Sequence, residues 1–365
     1  MSLSIGIVGL PNVGKSTLFN ALTKKSVPAE NFPFCTIDPS VGVVAVPDNR
    51  LTRLSRLSNS EKTISAVIEF VDIEGLVKGA AEGEGLGNQF LSNIREVDAI
   101  AEVVRIFDDT DITHVHGEVD PVRDIEVINL ELMMADLQTV SKRQGSVAKD
   151  VKRNDKDAIF KDAVLTKLSQ GLEGGKLANQ LELSKEELEV VKGLHLLTMK
   201  PVLYVLNKKN GAFNFDDEND ERFNKLVELL QSIGAKYVIV DVGVEHELRD
   251  VSGEDKETFR REFGVVEDGV DNLIRVGYEL LGLITFFTTG EKETRAWTIK
   301  KDWIAPEAGA AIHSDFRDKF IRADVIEWGR LLSAGSYVKA KENGELKTVG
   351  KDYIVKDGDV IEFRI

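Results

Sequence analysis

The sequence predicts an α/β protein: a doubly wound sheet, a helical hairpin inserted between two of its strands, and a small mixed domain at the C-terminus. Three observations lead there. Val- and Ile-rich runs at residues 4–8, 66–73, 99–107, 201–207 and 236–242 are separated by stretches long enough for crossover helices, as buried parallel strands require. Residues 125–200 break that rhythm. There Ile125, Ile128 and Leu132 recur at helical spacing, and Asp, Lys and Glu dominate the rest of the segment, the pattern of amphipathic helices at a surface. From about Tyr278 the apolar runs shorten to 283–287, 296–299, 337–340 and 360–365, joined by turns such as Glu342-Asn343-Gly344, which predicts short strands. The resulting bounds are 1–124 with 201–275 for the sheet domain, 125–200 for the insertion and 276–365 for the C-terminal domain.

A chain of 365 residues is too long for one hydrophobic core and long enough for two or three. Its 42% hydrophobic and 30% charged residues, with 30 Gly and 8 Pro, exclude collagen-like, mucin-like and wholly disordered chains. Cys35 is the only cysteine, so an intramolecular disulfide and a cysteine-rich zinc site are excluded, and a reducing, cytoplasmic setting is expected. The opening Met1-Ser2-Leu3-Ser4-Ile5-Gly6-Ile7-Val8 has no basic start, and no run approaches the roughly 20 apolar residues of a membrane helix. No membrane partner is expected. The net charge of −15 is concentrated in the sheet domain, with 21 basic and 35 acidic residues against 12 and 12 in the insertion and 14 and 15 in the C-terminal domain. Within the insertion, Lys142, Arg143, Lys149, Lys152, Arg153 and Lys156 are opposed locally only by Asp150 and Asp155. Such a run usually solvates a helix face; the sharper alternative is a contact with RNA phosphates.

The chemistry begins at Gly9-Leu10-Pro11-Asn12-Val13-Gly14-Lys15-Ser16, which satisfies G-x-x-x-x-G-K-[ST] between a strand and a helix. Its glycines let the backbone curl so that successive N–H groups face a polyphosphate, and the helix dipole adds to the cradle. Asn12, Val13, Gly14, Lys15, Ser16 and Thr17 are the candidate phosphate contacts: Lys15 supplies charge to the β- and γ-phosphates, Ser16 a hydroxyl for Mg²⁺, and Thr17 lies near the α-phosphate. Asp72-Ile73-Glu74-Gly75 has the form D-x-x-G at the end of a strand, where Asp72 would hold a magnesium water and the Gly75 amide would meet the γ-phosphate. Thr36 is spaced to cap the metal, so the candidate metal residues are Ser16, Thr36 and Asp72.

Asn207-Lys208-Lys209-Asn210 is similar to N-K-x-D, by which GTPases read guanine, except that Asn replaces the final Asp. A carboxylate accepts two hydrogen bonds and matches guanine's adjacent donors; a carboxamide offers one acceptor and one donor, as adenine's edge does. Asn210 therefore weakens guanine selectivity, whereas Lys208 fits the guanine pattern.

Together with Asn12 in the phosphate loop, the segments Asn31-Phe32-Pro33-Phe34-Cys35-Thr36-Ile37-Asp38-Pro39, the loop from Gly75 through Gly79, Gly83, Gly85 and Gly87 to Gln89-Phe90, Arg295-Ala296-Trp297-Thr298 and Phe320-Ile321-Arg322-Ala323 resemble the YchF family, the Obg-like ATPases, over essentially the whole chain. The resemblance implies a Ras-like P-loop nucleotide domain, a coiled-coil insertion and a C-terminal TGS domain of β-grasp type. It also implies ATP preferred over GTP, slow Mg²⁺-dependent hydrolysis, and association with ribosomes, for which the large subunit and a monomeric state are the expectation. The chain departs from the family's pattern at Asn210, where Glu is usual, at Lys208, where an apolar residue is usual, at Glu74, where Ala is usual, and at Asp241-Val242-Gly243-Val244-Glu245, its last base-contacting segment.

Leu76 follows D-x-x-G where Ras-like enzymes place a water-orienting Gln, so intrinsic turnover is expected to be slow. The resemblance points to His114 as the group that orients or deprotonates water instead. The glycines from 75 to 87 predict a nucleotide-ordered switch without regular structure until about Asn88, and Cys35 beside Thr36 is a candidate for redox control. A GTPase translation factor and a nucleotide-dependent binding module with incidental hydrolysis are the competing functions.

Overall fold

Residues 4–8 are apolar on both sides, which suits a strand covered by helices on both faces; four of the five are buried. A computed structural model describes residues 3–23, 40–73, 86–114, 117–217, 220–248, 251, 254–263 and 268–365. Thr36, Cys35, Gly75, Leu76 and the glycines at 79, 83 and 85 lie outside the described residues.

In chain order the first segment carries β1 (Ser4–Val8), α1 (Lys15–Thr23), β2 (Val41–Ala45), α2 (Asn49–Ser58), β3 (Lys62–Ile64), β4 (Val67–Asp72), α3 (Leu86–Glu96), β5 (Ala99–Arg105) and β6 (Phe107–Asp108). The insertion is α4 (Pro121–Lys152), α5 (Lys156–Glu173) and α6 (Lys185–Lys192). The chain returns through β7 (Val202–Lys208), β8 (Phe213–Asn214), α7 (Glu221–Ser232), β9 (Lys236–Asp241), α8 (Val242–Glu247), α9 (Glu254–Glu262) and α10 (Gly269–Leu280). It ends in β10 (Leu283–Thr289), β11 (Glu293–Lys300), α11 (Ala305–Ala310), α12 (Ser314–Asp318), β12 (Arg322–Glu327), α13 (Trp328–Ala334), α14 (Tyr337–Glu342), β13 (Lys347–Val349) and β14 (Asp359–Arg364).

The first sheet has the order β2-β4-β1-β5-β7-β9. All neighbours are parallel except β2 and β4, which run antiparallel at the edge. The expected strands are present, while β2 went unforeseen because its five residues are only half-buried in alternation. Parallel pairing brings the C-terminal ends of β1, β4, β5, β7 and β9 to one edge, where doubly wound sheets bind ligands. α3 starts at Leu86, two residues before the expected end of the glycine-rich segment, a difference within ordinary boundary scatter.

The insertion is a long helical hairpin, and it begins earlier than the 125 expected. Asp120 accepts from Arg123 N at 3.2 Å and Pro121 takes the first helical turn, a strong start signal just upstream of the apolar periodicity. The 32 residues of α4 reach about 48 Å at 1.5 Å per residue. Asn154, at φ 65°, turns the chain, and Asp155 caps α5 by accepting from Ala158 N at 2.8 Å. Val140, Val147, Val164, Leu165 and Leu168 are buried between the two helices. Among the described residues no helix is long and apolar enough to cross a membrane.

The second sheet, in the order β13-β12-β14-β10-β11-β3, differs from the self-contained C-terminal domain expected. Its edge strand β3 comes from the first segment and pairs parallel with β11, Lys62 against Glu293 and Ile64 against Arg295. The seam is reinforced by α2: Arg50 Nη1 donates to Asp357 Oδ2 at 2.6 Å and Arg53 lies over the Trp328 ring at 5.2 Å. Residues 337–340, expected as a strand, form α14 instead. Ser336 caps that helix by accepting from Lys339 N at 3.2 Å, a local bond that outweighs the β-propensity of a Tyr-Val pair.

Candidate functional site

The loop after β1 has an unusual backbone: Gly9, Asn12 and Gly14 have φ of 154°, 62° and 105°. Gly14 has no alternative, since a Cβ there would lie 2.5 Å from Asn207 Nδ2. Leu18 N donates to Gly14 O at 2.9 Å, opening α1, so the helix N-terminus and the curled loop form one anion-binding concavity. Val13 is buried beneath it, while Asn12 and Ser16 are exposed and Gly14, Lys15 and Thr17 half-buried. Lys15 Nζ donates to Leu10 O at 2.8 Å, which holds the ammonium across the mouth of the loop.

Asn207 ties three loops together. Its Nδ2 donates to Val13 O at 2.8 Å and its Oδ1 accepts from Val242 N at 3.2 Å, so one carboxamide joins the phosphate loop, the end of β7 and the start of α8. Asn210 N donates to Asp241 Oδ2 at 2.6 Å, and Val244 N donates to the other oxygen at 2.9 Å. Burial pushes the Asp241 carboxyl above the usual carboxylate range, with N–H donors from Val244, Asn210 and Gly243 opposing. The Asn210 side chain is exposed beside this junction. Lys208 is occupied otherwise: its ammonium donates to Asp216 and Asp217 at 3.0 Å each. Burial lowers its pKa and these two carboxylates more than reverse the effect.

Asp72 ends β4, and the register places it opposite Ile7, one residue before the end of β1. The sheet edge thus places Asp72 beside the end of β1, from which the loop leads to Ser16 in the first turn of α1. Hydroxyl and carboxylate oxygens are the donors a hard divalent cation takes, so these residues suit Mg²⁺. Thr36 and Gly75 lie outside the described residues.

His114 is joined to the site through its neighbour, since Asn12 Nδ2 donates to Thr113 O at 3.1 Å. The imidazole itself turns inward. Its Nε2 donates to Asp124 Oδ2 at 3.0 Å, and the two side chains are 1% and 3% exposed. Two residues that organise this loop were not foreseen. Arg105, buried at the end of β5, donates to the carbonyls of Phe107, Asp109 and Ile112 at 2.9, 3.1 and 3.1 Å, and Asp124 supplies the carboxylate from the first turn of α4. The available signal was a lone arginine closing an apolar strand, since a fully buried guanidinium must find acceptors.

The comparisons agree with this architecture. A family described as "50S ribosome-binding GTPase" matches residues 4–143, and the YchF-GTPase C-terminal family, described as a protein of unknown function, matches residues 283–365. The chain is 51% identical over 364 residues to the ribosome-binding ATPase YchF of Bacillus subtilis, covering 100% of this chain and 99% of that one. It is 47% identical over 363 residues to the protein of the same name from Escherichia coli O157:H7, again over 100% and 99%. A solved structure titled as the YchF GTPase of Schizosaccharomyces pombe superposes with a TM-score of 0.89 at 35% identity, covering 100% of this chain and 98% of that one.

Proposed function

The chain belongs to the YchF family, and on that premise we propose that it is a ribosome-associated P-loop ATPase, a slowly hydrolysing switch read by a partner. The observation that carries ATP over GTP is the pair at the base-reading loop: Asn210 presents an exposed carboxamide, while the ammonium of Lys208 is neutralised by Asp216 and Asp217. The lysine that favoured guanine in the sequence is thus engaged elsewhere. Ser16 and Asp72 would hold Mg²⁺, with Thr36 as a third oxygen donor; the bound ion neutralises phosphate charge. Lys15 and the loop N–H groups bind the phosphates, and His114 orients or deprotonates the attacking water.

The decisive experiment is equilibrium binding of ATP and GTP, with Mg²⁺, to nucleotide-free wild type and to Asn210→Asp. ATP is expected to bind more tightly to the wild type. The variant should shift the ratio toward GTP by about tenfold or more, the scale of a bidentate base contact at roughly 1–3 kcal/mol. Tighter GTP binding by the wild type would make the protein a GTPase. His114→Ala should lower single-turnover hydrolysis by about a hundredfold, within the range for general acid–base groups, and leave ATP affinity unchanged.

The arm supplies the proposed ribosome contact, through rRNA of the large subunit. Lys142, Arg143, Lys149, Lys152, Arg153 and Lys156 are all exposed around the hairpin tip; among the described residues the ion pair there is the long Arg153–Asp150 contact at 3.4 Å. Cations left without carboxylate partners are available to phosphates. Reversing Lys149, Lys152 and Arg153 to Glu should weaken ribosome co-sedimentation by about tenfold or more and flatten its salt dependence. Unchanged co-sedimentation would remove the tip from the interface.

A further inference from the structure

Beside β5, three polar residues that phosphate binding does not use are buried together: His114, Asp124 and Glu102, at 5%, 2% and 1% exposure of the whole residue. Desolvation, and secondarily the charge of Asp124, pushes the Glu102 carboxyl well above the usual range. Asp124 is the carboxylate that faces the imidazole, at 3.0 Å from Nε2. The Arg105 guanidinium also faces Asp124, and Tyr204 on β7 faces Glu102.

The described residues leading to His114 are tied at four backbone carbonyls. Arg105 grips the carbonyls of Phe107, Asp109 and Ile112, and Asn12 in the phosphate loop grips that of Thr113. An imidazole bonded to Asp124 with a side chain 1% exposed cannot at the same time orient a water on a γ-phosphate.

We propose that Asp124 is a positioning residue for hydrolysis: it stows the His114 imidazole in a solvent-excluded pair, and turnover requires that pair to part. Asp124 stands in the first turn of α4, whose far end carries the basic tip, so a displacement of the arm at its root acts directly on the pair. The proposal rests on His114 acting in hydrolysis.

The test is single-turnover ATP hydrolysis at saturating Mg²⁺ and nucleotide by wild type, Asp124→Asn, His114→Ala and the double variant, with ATP affinity measured alongside. If the stowed state holds about nine-tenths of the protein, its release raises the rate by up to about tenfold. Asp124→Asn is expected to be several-fold faster than wild type at unchanged ATP affinity, and the double variant to be as slow as His114→Ala. A merely structural Asp124 would slow the reaction whether or not His114 is present. An Asp124→Asn rate at or below wild type, with His114→Ala slow, overturns the proposal and spares the role of His114; His114→Ala at the wild-type rate overturns that role. If Asp124→Asn does not fold, the wild type decides through the His114 ring resonances, assigned by their loss in His114→Ala. Addition of Mg²⁺ and a non-hydrolysable ATP analogue should move them to solvent-like values, and unchanged resonances overturn the proposal.

Discussion

Gly14→Ala is expected to lower ATP affinity by about a hundredfold. Two independent costs add at this position. A φ of 105° lies where L side chains are strained by about 1–3 kcal/mol. The new Cβ would also stand 2.5 Å from Asn207 Nδ2, a contact that cannot persist, so either the loop or the carboxamide must move. Asn207 cannot yield without loss, because the same Nδ2 donates to Val13 O and the Oδ1 accepts from Val242 N. Relief of the clash therefore dismantles the junction between the phosphate cradle and the base-reading loops. A comparison variant separates the two costs. Gly117 has a similar φ of 82°, and a Cβ there would meet nothing within 4 Å; Gly117→Ala should carry backbone strain alone and leave ATP affinity within about threefold. Titration of both variants with ATP and Mg²⁺ gives the result, and equal affinities would show that the Asn207 contact is relieved without consequence.

The parts of the site legible in the sequence were those whose chemistry is local. The phosphate loop spans eight consecutive residues, 9–16, and a strand before it with a helix after it suffices to give it meaning. The placing of Asp72 and Asn207 at one edge was legible for a similar reason, since each closes a Val- or Ile-rich strand and the parallel sheet brings those ends together. Arg105 and Asp124 were not, because their roles depend on acceptors and partners that only the tertiary fold delivers. Burial makes them indispensable there: a guanidinium at 1% exposure must satisfy its donors on loop carbonyls, and no periodicity announces which ones. The same limit applied to β3. Lys62-Thr63-Ile64 is too short and too polar to read as a strand, and it is placed by β11 of the other sheet. Asp72 comes only a short span after Ile64, at the far end of β4, so the two sheets share a segment that leads directly into the nucleotide site. The same segment is tied to the C-terminal sheet by the pairing of β3 with β11 and, through α2, by the Arg50–Asp357 contact.

The arm has an equally definite anchor, and its removal should produce a large loss of local stability. Asp136, in the middle of α4 and fully buried, accepts from Leu197 N at 2.8 Å, from Thr198 N at 2.8 Å and from Thr198 Oγ1 at 2.7 Å. Thr198 Oγ1 in turn accepts from Ala178 N at 3.1 Å. One carboxylate thus fastens the long helix to both turns through which the insertion returns to β7. Asp136→Ala leaves two backbone donors and a hydroxyl without their acceptor in a dry site, where each unsatisfied group costs about 1–3 kcal/mol. Thr198 can recover part of this by rotating its hydroxyl, so a net loss of about 3 kcal/mol is expected. Because several cores unfold in this chain, the local quantity is read best by amide hydrogen exchange. Protection of the Leu197 and Thr198 amides should fall by about a hundredfold, with ATP affinity unchanged, since none of these atoms belongs to the nucleotide site. Asp136→Asn should fall between the two proteins: its carbonyl keeps one acceptor, while its NH₂ confronts a donor. Retained protection in Asp136→Ala would mean that apolar packing of Ile128, Leu132, Ala135 and Leu197 in the core of the sheet domain holds the arm there without the carboxylate.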